Sequence, residues 1–243
     1  MRKYFLDTEF IEGSQSKFLW GQTKPTIDLI SIGMVNENAE TFYAISNEFN
    51  LKEAWYRWEQ RTGHGDYNNI NPKDYWIREN VLRPLFIDLK SIYVKDLNKI
   101  TNQRVQAANV WDFNYPNLKW LLKRYGKSNA QIANLILMFI YPDNIINDEN
   151  KPEFYGYYAD YDWVVFCWIF GKMIDLPQSF PKYCNDLKQM MGDKSNILRA
   201  LPDYPKQTNE HNALDDAIWN RLLYLFLKDY ELGLSEKPNP ITY

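Results

Sequence analysis

Ile27-Asp28-Leu29-Ile30-Ser31-Ile32-Gly33-Met34-Val35, with Tyr4-Phe5-Leu6-Asp7-Thr8-Glu9-Phe10 before it and Thr41-Phe42-Tyr43-Ala44-Ile45-Ser46 after it, is the part of the chain from which the fold is read. Each run is short, apolar and rich in β-branched or aromatic residues, which predicts strands over 2–8, 27–35 and 39–46. Asn36-Glu37-Asn38 is a polar turn too short for a crossover, so the second and third strands form an antiparallel hairpin. The connection at 13–26 contains Gly13, Gly21 and Pro25 and reads as a loop that is long for a sheet.

Working outward, the pattern predicts a helix around 75–86, a segment of irregular pattern over 87–127, a helix near 128–140 and a strand at 153–158. Helices over 160–173, 183–191 and 212–230 follow. The last carries Ala213, Leu214, Ala217, Ile218, Leu222, Leu225 and Phe226 at helical spacing. Three strands followed by alternating helices and strands describe an α/β protein with a mixed sheet flanked by helices, the ribonuclease H-like architecture. No linker rich in proline, glycine and serine divides the 243 residues, so residues 1–230 read as one domain and 231–243, with Pro238 and Pro240, as a loose tail. Within that domain, 87–127 reads as a basic segment bearing Lys90, Lys95, Lys99, Arg104, Lys119, Lys123, Arg124 and Lys127; it is either a solvated face or a phosphate contact.

Composition excludes little but sets bounds. Aromatic residues make up 16% of the chain, including nine Trp and eighteen Tyr, enough for a core with some left to stack on bases. The formal charge of −3 includes acids that cations would neutralise, so it does not exclude a nucleic-acid partner. Cys167 and Cys184 lack metal-ligand spacing and follow no secretory signal, which points to a reducing cytoplasmic compartment. No run is long and apolar enough to span a membrane.

Chemistry enters with three acidic clusters. Asp7 and Glu9 are two apart on a strand and leave the same face, where like charges repel unless a cation lies between them; the alternative is a solvated strand end. Asp160 and Asp162 open a helix whose N-terminal dipole favours negative charge. Asp160 suits a helix cap, and Asp162, flanked by Tyr161, Trp163, Val164 and Val165, suits a structured site. His211 precedes a helix and Asp216 lies about one and a half turns into it, so the helix can carry Asp216 to a metal while His211 reaches bound water as a general base. Asp215 is the alternative ligand, rotated about 100° around the helix. An all-oxygen donor set selects Mg²⁺ or Mn²⁺ over softer ions. The other histidine, His64, lies in a Gly-flanked loop and faces solvent.

Asp7-Thr8-Glu9, Tyr161-Asp162 and His211-x-Ala213-Leu214-x-Asp216-Ala217 together resemble the DEDDh exonucleases. Tyr4 to Glu12, Asp28 to Gly33 and Tyr43 to Phe49 are similar to the small bacterial and phage 3′-5′ exoribonucleases that prefer polyadenylate, over roughly 1–50, 128–173 and 205–228. The resemblance implies that Asp7, Glu9, Asp162 and Asp216 hold two Mg²⁺ or Mn²⁺ ions, that His211 activates water, and that the substrate is a single-stranded 3′ end, RNA ahead of DNA. It also implies a bacterial or phage-infected cell and, as in many relatives, a homodimer. Two features depart from it: Tyr158 stands where many relatives have a small or amide residue, and compact members lack the 87–127 segment. Phe10 is placed to wedge against the terminal base, or to pack in the core, and Phe18 or Trp20 in the 13–26 flap to stack on the next base. The rivals are a DNA exonuclease and a catalytically silent nucleic-acid-binding module on the same fold.

Overall fold

The computed structural model describes residues 2–15, 24–58, 75–101, 111–143, 145, 150–231 and 233. Strands β1 (Arg2–Gln15), β2 (Lys24–Asn36) and β3 (Thr41–Ile45) come first, then a short helix α1 (Leu51–Tyr56). A π-helical turn over Arg78–Leu82 leads into α2 (Arg83–Thr101), followed by α3 (Tyr115–Tyr125), α4 (Asn129–Ile140), β4 (Pro152–Gly156) and α5 (Asp160–Ile169). The chain continues with β5 (Asn185–Asp186), α6 (Leu187–Met191), α7 (Ser195–Arg199) and α8 (Ala213–Glu231). The five strands form one sheet in the order β3-β2-β1-β4-β5.

Register and turn chemistry explain that order. β4 runs parallel to β1, with Tyr4 opposite Phe154 and Phe5 opposite Tyr155, and β5 runs parallel to β4. β3 folds back on β2 through a turn in which Asn36 Oδ1 accepts the Asn38 and Glu40 N–H groups at 3.0 and 2.9 Å. The sheet is therefore mixed and helix-flanked, the ribonuclease H-like α/β arrangement that the element order leads one to expect.

By compactness the described residues fall into two units. The first holds those within Met1–Phe10, Ser31–Ala44 and Asn129–Tyr243, and the second those within Ile11–Ile30 and Ile45–Ser128. In the first, neighbouring residues of β1 point to opposite faces of the sheet. Tyr4 packs edge-on to Phe139 of α4 at 5.8 Å and donates to the Ile140 carbonyl at 3.2 Å. Phe5 meets Tyr224 of α8 at 5.2 Å and shares a core with Leu187, Leu198 and Leu223. Helices thus cover both faces. α8 approaches β2 so closely at Gly33 that a Cβ there would lie 2.1 Å from the Ala213 carbonyl oxygen and 2.4 Å from the Leu214 Cα.

The second unit is organised around aromatic contacts. Phe113 meets Trp55 at 4.8 Å and Phe86 at 5.4 Å, and the Arg83 guanidinium lies over the Phe113 ring at 4.4 Å. Leu85, Phe86 and Leu89 of α2 and Leu118, Leu121 and Leu122 of α3 are buried.

Several boundaries differ from those read in the sequence. β1 runs on to Gln15 and β2 begins at Lys24, so both ends of the expected loop are strand. Gly13, taken as a loop residue, lies in β1 at a close approach, where a Cβ would stand 3.2 Å from the Glu53 carboxylate. The described part of 87–127 is not irregular but largely helical, in α2 and α3. Ile87, Ile92 and Ile100 stand exposed on α2, so its apolar residues mark no single stripe and the period is obscured. The expected 183–191 helix opens with β5, two residues long and recognisable only through its pairing with β4. α5 stops at Ile169, before Gly171 at φ 112°, rather than running to 173. Phe18, Trp20, His64 and Arg104 lie outside the described residues. Among the described residues no helix is long and apolar enough to cross a membrane.

Gly33→Ala should destabilise the protein by about 1–3 kcal/mol, the ordinary cost of overpacking a closed contact, read as a lower midpoint in urea. An unchanged midpoint would mean that α8 is not seated on β2 at this point.

Candidate metal centre

The site begins where a strand ends. β4 follows β1 as far as the Phe5–Tyr155 register and stops at Gly156, so the C-terminal half of β1 loses its strand neighbour on that edge. Side chains take over the backbone bonding. Asn220 of α8, buried, donates its Nδ2 to the Leu6 carbonyl at 2.9 Å, and the Thr8 N–H donates to Asp162 Oδ1 of α5 at 2.9 Å. The C-terminal ends of parallel strands are where α/β sheets open crevices for ligands, and Asp7 and Glu9 stand at this one.

Thr8 alternates away from Asp7 and Glu9 and holds Asp162 twice, since its Oγ1 also donates to the same Oδ1 at 2.6 Å. Asp162 is only 6% exposed, whereas Asp160 is exposed. The capping role read for Asp160 belongs elsewhere. Asp186 of β5 accepts the Ala159 N–H at the head of α5 with Oδ2 and the Gln189 N–H in α6 with Oδ1, both at 2.9 Å.

Asp216 is fixed through both oxygens. Gln207 Nε2 donates to Oδ1 at 2.5 Å and the His211 N–H donates to Oδ2 at 3.0 Å. That backbone donor is aimed by a left-handed conformation at His211, φ 71°, a region histidine visits more readily than most residues. Asn212 then caps α8, its Oδ1 accepting from Leu214 N–H at 3.0 Å and Asp215 N–H at 3.3 Å. Asp215, the alternative ligand, accepts from Asn209 Nδ2 at 3.2 Å and is not part of the carboxylate group.

Asp7, Glu9 and Asp216 each offer a carboxylate oxygen, and these oxygens all lie within 4.8 Å of one another. Desolvation pushes the Asp7 carboxyl well above the usual range, and the negative charges of Asp162, Glu9 and Asp216 add to the rise. Burial raises Asp162 to about 6 against the lowering pull of its bonds from Thr8. Asp216 is raised by burial, opposed first by Gln207 and then by the His211 N–H and the nearby imidazole. Such a group of acids is costly to ionise together, and a hard divalent cation among them reverses the cost. The donors are all oxygen, which fits Mg²⁺ or Mn²⁺.

Of the residues singled out in the sequence, Asp7, Glu9 and Asp216 come together, Asp162 interacts electrostatically with Asp7 and Asp216, and His211 adjoins Asp216. Phe10 is half-buried, its ring stacked on that of Tyr161 with centroids 5.6 Å apart and planes 13° from parallel. Thr8, Gln207, Asn220 and Asp186 went unread. Thr8 carried a signal in its place between two acids on an alternating strand; Asn220 and Asp186 act across 214 and 27 positions, and Gln207 reaches Asp216 from nine residues before it through a turn with no periodic pattern.

No protein-family model matches the chain. It is similar to two curated 3′-5′ exoribonucleases of Mycobacterium tuberculosis, one from strain CDC 1551 / Oshkosh and one from strain ATCC 25618 / H37Rv. Each is 26% identical over 216 residues, spanning 88% of this chain and 86% of the relative.

The raised carboxyls set a pH signature. Without divalent cations the native state keeps protons that the unfolded chain has released, so stability falls as pH rises from the usual carboxylate range near 4 through about 6. In EDTA, Tm should therefore decline across that window, and Mn²⁺ should restore it, more at neutral than at acidic pH. An Mn²⁺ response independent of pH would show that these carboxylates do not bind the ion.

Proposed function

We propose that the protein is a metal-dependent 3′-5′ exoribonuclease, acting on single-stranded RNA from its 3′ end. The observation that carries this reading is the convergence of Asp7, Glu9 and Asp216, brought from both ends of the chain to within 4.8 Å of one another. Similarity over most of the chain to proteins named 3′-5′ exoribonucleases supports the polarity and the sugar. Residues 1–230 are taken as one functional domain.

Each residue has a part in hydrolysis. Asp7, Glu9, Asp162 and Asp216 would hold two Mg²⁺ or Mn²⁺ ions, whose bound chemistry is a more acidic water and neutralised charge around the scissile phosphate. His211 serves as general base, taking a proton from the attacking water; its backbone N–H is bonded to Asp216, which keeps the imidazole beside the carboxylates. Thr8 orients Asp162, and Gln207 fixes one oxygen of Asp216 so that its ligand geometry is set before substrate arrives. Phe10, backed by Tyr161, presents an aromatic surface to the terminal base; such stacking is worth roughly 1–3 kcal/mol and tolerates many sequences.

Matched RNA and DNA oligonucleotides labelled at the 5′ end and incubated with Mn²⁺ test the reading. A ladder shortening from the 3′ end on RNA is the expected result, and absence of cleavage of either strand overturns it. Asp7→Ala and Asp216→Asn should abolish turnover, and His211→Ala should slow it by about 10²–10⁴-fold, the usual contribution of a general base, with Mn²⁺ binding nearly unchanged. Asp162→Asn should also abolish cleavage while Asp160→Asn leaves it intact. The opposite pattern would place the fourth ligand at Asp160.

A further inference from the structure

A concavity of about 580 Å³ in the second unit is lined by Asn47, Phe49, Tyr115 and three lysines, Lys52, Lys119 and Lys123. The lysines come from two elements, Lys52 from α1 and the others from α3. Tyr115, Lys119 and Lys123 recur every four residues and so lie along one side of α3, while Leu118 and Leu121 are buried. All three lysines are exposed; among the described residues no carboxylate lines the cavity and none of the three forms an ion pair. Three like charges gathered at one hollow repel each other, and an anion relieves that repulsion.

We infer that this hollow is a phosphate-binding site for the backbone of single-stranded RNA, an anchoring site in addition to the carboxylate centre. Its size falls within the roughly 300–1,000 Å³ of ordinary ligand sites. Its lining joins positive groups for phosphate to aromatic residues, Phe49 and Tyr115, that suit a nucleoside, the combination by which proteins hold single strands without reading sequence. A chain is favoured over a free nucleotide because positive charge continues past the cavity. Arg124, beside Lys123, lies over the ring of Trp120 at 5.6 Å, and Trp120 is 41% exposed. α3 carries Lys119, Lys123 and Arg124 and no acid. The choice of RNA as the occupant rests on the exoribonuclease reading; the phosphate chemistry does not.

The test is binding of a long, fluorescently labelled single-stranded RNA to the Asp7→Ala protein in EDTA, followed by anisotropy over a range of salt. Replacing Lys52, Lys119 and Lys123 together by Ala should weaken binding by about tenfold or more at low salt. It should also flatten the plot of log affinity against log salt by about 2, since each phosphate contact on a single strand contributes about 0.7. Replacing the same three by Arg should keep the slope. An unchanged slope in the Ala variant, with native Tm, overturns the site. AMP displacing the RNA as effectively as unlabelled RNA of equal phosphate content also overturns it, in favour of a free-nucleotide pocket. The two readings fail separately: lysine-dependent binding with no cleavage by the unaltered protein would sink the exoribonuclease and leave the anion site, and cleavage with an unaltered slope would do the reverse.

Discussion

Mutual repulsion among carboxylates at the uncovered half of β1 is the constraint around which the first unit is arranged. Asp7 and Glu9 share a face because they are two apart on a strand, and α8 brings Asp216 to the same place. Left alone, such a group lowers its cost by protonating, as the raised carboxyls show. The fold keeps the acids together all the same, using Thr8 on Asp162 and Gln207 and the His211 N–H on Asp216. Hydrogen bonds to a carboxylate favour its charged form, so this frame holds the oxygens ready for a cation as well as holding them in place.

That arrangement depends on two close backbone approaches. At Gly33 the first turn of α8 lies against β2, leaving no room for a side chain. At Gly156 a Cβ would stand 2.9 Å from the Ala159 Cβ, so the chain can turn directly from β4 into α5. The first lies at the start of the helix that carries Asp216 and the second just before the helix that carries Asp162. Asp186 links the second to β5 by accepting the N–H at the head of α5 while it caps α6. A two-residue strand therefore contributes to the placement of an acid on a neighbouring helix.

The second unit presents the opposite electrostatics. The first concentrates negative charge in a crevice suited to cations, whereas α3 and α1 gather lysines at a hollow with no acid in its lining among the described residues. Under the proposed function, cations in the first would serve the scissile phosphate and lysines in the second would serve other phosphates of the substrate. The near-neutral total of −3 conceals this division of charge.

Much of this was determined by the sequence alone, wherever local periodicity coincides with chemistry. Alternation put Asp7 and Glu9 on one face, the apolar repeat from Ala213 to Phe226 marked α8, and the apolar flank of Asp162 distinguished it from Asp160. The hairpin of β2 and β3 and the mixed, helix-flanked sheet followed from the succession of elements, whereas the place of β5 in the sheet did not. Only the tertiary structure decided what holds the acids: Asn220 on Leu6 across 214 positions, Thr8 on Asp162 across 154, and Asp186 in place of Asp160 at the head of α5. The same is true of α2, whose exposed isoleucines hid its period, and of β5, which is a strand only because β4 lies beside it. Local pattern reports which way a side chain leaves its own element; which partner it meets depends on how separate elements pack, and no window of sequence contains that information.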